Sequence, residues 1–280
     1  MKNFLSKSQL QQYEAEGYCY PFDILSDKEL ANYLSKLDNY EAETGHAISG
    51  IYRHKPHLIF PWLYDLISNP LIVDAIEDVL GPNILCWGSN FFNKDAGDPS
   101  FVSWHQDANY WGLDRPDVCS AWIALTPSNS LSGCMRVIPG SHKKSLSHID
   151  TYHEHNLLSR GQEIVDCVDE AKAVDLELSP GQMSLHHVGI VHGSNPNRSN
   201  ERRLGFAIRY INSGVRQTLG PHDFATLVRG EVTHNEWELE PRPKSELDPA
   251  AVAYHARVCE IQLKMFFAGA AIQPFDDRNH

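Results

Sequence analysis

Trp104-His105-Gln106-Asp107, answered far downstream by His192-Gly193-Ser194 and then by Arg203, is the sequence on which the reading of the fold turns. On an extended strand, residues two apart point to the same side, so His105 and Asp107 can approach one ion while Gln106 faces away. A His-x-Asp pair completed by a distant histidine is the ligand set of a mononuclear Fe(II) centre with open coordination positions. An arginine placed like Arg203, eleven residues beyond His192, can hold the carboxylate of a co-substrate. The pattern predicts an oxygen-activating enzyme rather than a binding module.

Spacing alone is a weak signal. The chain has 15 histidines; His148-Ile149-Asp150 and His234-Asn235-Glu236 repeat the spacing, and His222-Asp223 are adjacent. An isolated pair of this kind is ordinarily a solvated surface pair. Context separates the first one, which sits between Phe101-Val102 and Tyr110-Trp111 in an aromatic neighbourhood suited to a dry pocket. His192 follows Ile190-Val191 and opens a hairpin-like passage, Gly193 to Asn200, that returns as a strand from Arg203 to Ile211. His186 and His187 compete for the third ligand position. They are read as supporting or packing residues, because neither stands in this relation to an arginine.

Outward from these segments, Asn83 to Asn93, Val118 to Thr126, Met135 to Ile138, Val174 to Leu178, Met183 to His187 and Leu204 to Ile211 carry aromatic and β-branched residues between Gly, Pro and Asn turns. Strands in series without alternating helices predict a mainly β fold, a sandwich or jelly roll. Before them lies a helical prelude: Leu5 to Glu16 ending at Gly17, a capping box at Ser26-Asp27-Lys28-Glu29, then Pro61 to Ser68 and Pro70 to Leu80. Asp248-Pro249 predicts the start of a C-terminal helix reaching about Phe267. The expected layout is one domain over 1–280, with a mainly helical part at 1–82, a jelly-roll core at 83–215, and a loop and helix at 216–280. Tyr152 to Glu170 and Gln217 to Ser245 are expected as loops.

A net charge of -12 opposes nucleic acid and anionic membranes as partners. The apolar content of 42% contains no run long enough to span a bilayer, and Met1 to Lys7 lacks the apolar region of a secretory signal, so a cytoplasmic protein is expected. Six scattered cysteines without a C-x-x-C read as reduced structural residues.

At Glu16-Gly17-Tyr18, Trp104 to Asp107, Gly133 to His142, and His192-Gly193-Ser194 with Arg203, the chain resembles the phytanoyl-CoA dioxygenase family of Fe(II)/2-oxoglutarate-dependent oxygenases. The resemblance implies a double-stranded β-helix with helices packed around it, and iron held by His105, Asp107 and His192. It implies Arg203 on the distal carboxylate of 2-oxoglutarate, with Ser194 and Trp122 lining that site. Fe(II), 2-oxoglutarate and O2 are the implied cofactor and co-substrates, with ascorbate as a stimulant. Asp107 occupies the position that relatives binding a halide leave to Ala or Gly, which favours hydroxylation.

The same resemblance points to a bacterial branch acting on small polar metabolites, and within it to hydroxylation of 2-aminoethylphosphonate at the carbon next to phosphorus. A free or carrier-bound amino acid is the alternative. Asn109, Tyr110 and Trp111 are candidate pocket residues or simple packing, and Arg136 and Arg209 are candidate inward cations or partners of buried or rim carboxylates. From other classes, a non-catalytic jelly-roll metal binder and a purely structural protein compete with these readings.

Overall fold

The computed structural model describes residues 4–271 apart from 221, 233 and 269. Its helices are α1 (Lys7–Glu16), α2 (Asp27–Thr44), α3 (Pro61–Ile67), α4 (Pro70–Leu80) and α5 (Pro249–Phe266). Local chemistry sets their ends. Ser6 and Ser26 accept from the backbone of Gln9 and Glu29, whose side chains bond back, and Gly17 and Gly45 close α1 and α2 in the left-handed region at φ 82° and 79°. Asp248 caps α5 ahead of Pro249.

The strands are β1 (Tyr18–Asp23), β2 (Ile84–Lys94), β3 (Val102–His105), β4 (Val118–Ala124), β5 (Met135–Val137), β6 (His148–Asp150), β7 (Gln162–Ile164), β8 (Val174–Asp175), β9 (Gln182–His187), β10 (His192–Ser194), β11 (Arg203–Asn212), β12 (Asp223–Arg229) and β13 (Trp237–Leu239). They form a large sheet in the order β1-β9-β4-β11-β2-β12-β13, a smaller one in the order β3-β10-β5-β8, and the pair β6-β7. Among these strands only β12 and β13 pair in parallel. This is the jelly roll the sequence predicts, built as two sheets rather than a closed barrel.

The large sheet is wider than expected. The segment read as a loop over Gln217 to Ser245 carries β12 and β13, the loop over Tyr152 to Glu170 carries β7, and the helical prelude contains β1. β1 and β13 are edge strands, and Pro21 is tolerated in β1 for that reason. β7 and β13 are only three residues long and β1 is interrupted by Pro21, so none carries a clear apolar alternation by which strands are read.

Two cores follow from this layering. Leu204, Phe206, Ile208 and Tyr210 of β11 pack with Cys119, Ala121 and Ile123 of β4 and with residues of α1 to α4. On the other side, Trp122, Ala124 and Ala207 meet Met135 and Val137 of the smaller sheet. Covered on both faces, β4 is buried along its whole length, which is why its alternation in sequence is only partial. All six cysteines are unpaired, five of them buried and Cys167 exposed.

Candidate metal centre and carboxylate pocket

β3 ends at His105 and β10 begins at His192, and the two residues face each other directly across the antiparallel pair, with ring centroids 4.1 Å apart. Asp107 lies just past the strand, in a short 3-10 turn over Asp107–Asn109. It reaches the site because Gln106 clamps the turn. The Gln106 amide donates to the carbonyls of Lys144 at 2.8 Å and Gly189 at 2.6 Å, and its oxygen accepts from Leu146 N at 2.8 Å. One ligand atom from each of His105, Asp107 and His192 falls within 4.8 Å of the others.

The hydrogen bonds select the ligand atoms. His105 Nδ1 lies 3.0 Å from the Ser103 carbonyl and 3.1 Å from that of His192, and His192 Nδ1 lies 3.0 Å from the Ile190 carbonyl. A carbonyl only accepts, so each Nδ1 carries the proton and each Nε2 presents a lone pair. Burial pushes the His192 imidazole down to about 3, the nearby His105 charge adding to it. Burial alone would raise Asp107, but its contacts with His105 and His192 and the charge of Arg209 hold it well below the usual carboxylate range. Neutral imidazole and ionised carboxylate are the states a divalent cation needs.

Beside this triad lies a cavity of about 60 Å³ lined by Ser120, Trp122, His186, Ser194 and Arg203. Arg203, only 2% exposed, donates to the Gly133 carbonyl and stands 5.4 Å from the centroid of the Trp122 ring. Gly205 makes room for that ring: a Cβ there would lie 1.9 Å from Trp122 Cζ2. Lys94, at the end of β2, is paired directly with Arg203 and fully buried, its Nζ 2.7 Å from Ser194 Oγ. Burial, and after it the Arg203 charge, pushes Lys94 down to about 6. Neither cation forms a salt bridge among the described residues, and Arg203 Nε, His186 Nδ1 and Ser120 Oγ are buried without hydrogen-bond partners. An uncompensated guanidinium, a buried amine that a bound anion would re-protonate, and three orphaned polar atoms around a small cavity fit a carboxylate-bearing guest.

Residues 13–205 match the family described as Phytanoyl-CoA dioxygenase (PhyH). The chain belongs to the phytanoyl-CoA dioxygenase family. It is a non-haem dioxygenase that depends on Fe(II) and 2-oxoglutarate. The dioxygenase is similar to a probable alpha-ketoglutarate-dependent hypophosphite dioxygenase of Stutzerimonas stutzeri, at 29% identity over 233 residues covering 76% of this chain and 80% of that protein. It is similar to the ectoine dioxygenase of Bordetella parapertussis, at 24% identity over 257 residues and 81% of each chain. Among solved structures it is similar to the non-haem monooxygenase ThoJ, with TM-score 0.81 and 33% identity, covering 93% of this chain and 98% of that one.

The other sequence candidates divide. Tyr110, Trp111 and Arg209 line a larger cavity of about 190 Å³ that shares His105 and Asp107 with the smaller one. Asn109 does not join them; it is exposed and donates to the Leu146 carbonyl at 2.8 Å. Arg136 is turned away as well, bonded to Asp175 at 3.1 Å and Glu170 at 2.8 Å, because Met135 and Val137 take the buried side of β5. His186 sits 5.2 Å from the His192 ring in the wall of the smaller cavity, held neutral by burial, which lowers it to about 4. His187 instead accepts from Gly189 N at 3.0 Å. Lys94 and Arg53, which lines the larger cavity, were not singled out by the sequence. The signal for Lys94 is its parity with Phe92, which lines both cavities. Among the described residues, no helix is long and apolar enough to cross a membrane.

Proposed function

We propose that this dioxygenase hydroxylates an unactivated C–H bond of a small polar metabolite, with 2-aminoethylphosphonate, converted to its 1-hydroxy product, as the specific substrate. The observation that carries the reading is the meeting of the two cavities at His105 and Asp107. One cavity suits a dicarboxylate and the other an organic guest, and both open on the same three donors. His105, Asp107 and His192 hold Fe(II) through Nε2, a carboxylate oxygen and Nε2. Bound there with 2-oxoglutarate and O2, the metal supplies the oxidation in which the keto acid becomes succinate and CO2 and one oxygen atom enters the C–H bond. Arg203 and Lys94 receive the distal carboxylate, Ser194 keeps the ammonium of Lys94 in place, and Trp122 fixes the plane of the guanidinium. Tyr110 and Trp111 exclude water from the reacting carbon. Similarity to a hypophosphite dioxygenase supports a phosphorus oxyanion, and similarity to an ectoine dioxygenase supports a compact polar substrate.

The test is anaerobic addition of Fe(II) and 2-oxoglutarate, followed by oxygen and candidate substrates. A weak visible charge-transfer band, then succinate release coupled to 2-aminoethylphosphonate, is the expected result. A band with succinate release coupled only to an amino acid would sink the phosphonate assignment. Absence of the band in well-folded protein would sink the assignment of the triad and Arg203.

A further inference from the structure

We propose that Arg53 and Arg209 form an oxyanion clamp in the wall of the larger cavity, and that the substrate carries a carboxylate or phosphonate group which they hold. The inference rests on the hydroxylase reading and adds to it the residues that hold the substrate's anionic group, Arg53 among them.

Four cations other than histidine line this cavity, and two are already neutralised. Lys55 Nζ lies 2.5 Å from the Glu240 carboxylate and 2.9 Å from the Phe224 carbonyl. Arg160 Nε donates to Asp150 at 2.8 Å. Arg53 has no acidic partner among the described residues, and the one acid in the lining, which interacts with the Arg209 charge, is the candidate metal ligand Asp107. The two arginines instead end a single chain of polar groups: Arg53 Nε lies 3.3 Å from His54 Nε2, His54 Nδ1 meets the Asn90 amide, and Asn90 Oδ1 accepts from Arg209. Burial, with the Arg53 and Arg209 charges, pushes His54 down to about 3, so the imidazole between them adds no positive charge. The chain is rich in donors and short of acceptors.

The wall is built before any guest arrives. His54 bridges to Asn90 of β2, Lys55 N donates to the Ser89 carbonyl at 2.7 Å, and His255 of α5 holds the His54 carbonyl at 2.7 Å. Both guanidiniums open on this one cavity, and each can offer paired N–H groups to the oxygens of a bound carboxylate or phosphonate. The lining is otherwise aromatic: Trp87 meets Trp111 and Phe266 edge-on at centroid separations of 5.1 and 5.6 Å, and Trp111 also lies under the Arg209 guanidinium, a surface for the organic body of the guest. Arg209 lines both cavities, whereas Arg53 lines only the larger one. The oxyanion therefore sits close to the metal side, and the oxidised carbon is only a few bonds from it.

Trp87 and Trp111 provide a readout independent of turnover. Full-length protein, metal-free and again with Fe(II) and 2-oxoglutarate under anaerobic conditions, is titrated with ethylphosphonate, propionate and ethanolamine while tryptophan fluorescence is followed. Saturable quenching by one or both anions, weakened about tenfold or more in Arg53→Gln and unchanged in Arg136→Gln, is expected. The stronger of the two anions identifies phosphonate or carboxylate. Arg53→Lys should bind with intermediate affinity, since it keeps the charge and loses the paired donors. Arg53→Gln should melt no lower than wild type, because it removes a cation without a countercharge. Equal anion affinity in Arg53→Gln and wild type, or binding of ethanolamine in preference to both anions, overturns the clamp. Loss of the charge-transfer band in wild type would fall on the metal-centre reading instead, with the metal-free titration still deciding the clamp.

Discussion

Replacing Lys94 by Met should move 2-oxoglutarate affinity and unliganded stability in opposite directions. The Lys94 amine is buried beside Arg203, and its partners, Ser194 Oγ and the Asn195 carbonyl, carry no charge. A hydrogen bond to a charged group contributes about 1.5–3 kcal/mol. Its loss should weaken 2-oxoglutarate roughly 10- to 150-fold, since about 1.4 kcal/mol is a factor of ten. Met has similar length and no charge to desolvate, so the protein without co-substrate should melt no lower than wild type.

Protons give a second reading of the same variant. Burial and the Arg203 charge take Lys94 from its ordinary 10.5 to about 6, so the unliganded amine is neutral at pH 8. A carboxylate bound against it restores the charge, and binding at pH 8 should draw in close to one proton. Affinity should then fall by up to about tenfold per pH unit above pH 6, with that slope absent in Lys94→Met. For unfolding, the lysine of the unfolded chain is protonated between pH 6 and 10.5 while that of the folded chain is not. The unfolded state binds more protons there, so stability without co-substrate should rise with pH across this window, and the full penalty is present below pH 6. Calorimetry in two buffers of different ionisation enthalpy measures the proton uptake, and thermal melts with and without 2-oxoglutarate measure the stability. A Met variant that binds 2-oxoglutarate like wild type and melts lower would show that Lys94 is only a structural tie to Ser194 and Asn195.

Asp107→Ala leaves two neutral ligands, and the Fe(II)/2-oxoglutarate charge-transfer band should disappear with at least an approximately 100-fold loss of succinate release. Gly205→Ala drives a Cβ to 1.9 Å from Trp122 Cζ2, so the melting temperature should drop by the equivalent of about 1–3 kcal/mol and KM for 2-oxoglutarate should rise as the platform under Arg203 shifts. Arg203→Ala should raise that KM on the order of 10²- to 10³-fold, whereas Arg202→Ala, which breaks outward ion pairs to Glu41 at 2.7 Å and Asp95 at 3.6 Å, should leave it unchanged. Burial holds His186 and His187 down to about 4 against an ordinary 6.5, so the unfolded chain takes up protons first on acidification. The denaturation midpoint should fall between pH 6.5 and 4, by up to about 1.4 kcal/mol per pH unit for each histidine.

Legibility in the sequence followed local determination. Helix ends were readable at Ser26, Gly17 and Asp248 because caps are written in adjacent residues. The inward side of β11 was readable because parity carries Arg203 to Arg209 along one strand. Asp107 reaches the ligand set by a route parity does not describe, since β3 stops at His105 and the bonds of Gln106 to Lys144, Leu146 and Gly189 aim the turn. Arg136 failed for lack of register: nothing local says that Met135 and Val137, rather than the arginine between them, take the buried face. Lys94 reads as a solvated strand end until β2 and β11 are aligned and it falls opposite Arg203. Arg53 ends a single 3-10 turn, Gly50–Arg53, too short to carry periodicity, and the segment is placed by the bridge of His54 to Asn90 and the bonds beside it.

β11 shows how the fold can carry so much unpaired charge. Leu204, Phe206, Ile208 and Tyr210 bury their side chains under the helices, while Arg203, Gly205, Ala207 and Arg209 face the two cavities with the smallest residues between the two cations. The functional face gives the strand little apolar packing of its own, and two guanidiniums on it cost stability in the absence of anions. The helix-facing residues and the flanking strands β2 and β4 offset that cost and keep the backbone fixed, so the arginines cannot relax toward water. A strand buried on one side only would let them escape toward water, and the cavity would lose the fixed cations proposed to receive a carboxylate. The helical prelude is thus part of the site's energetics without touching it: loosening the α3 and α4 contacts under Tyr210, whose hydroxyl donates to the Ile67 carbonyl at 2.8 Å, should weaken 2-oxoglutarate binding through the mobility of β11.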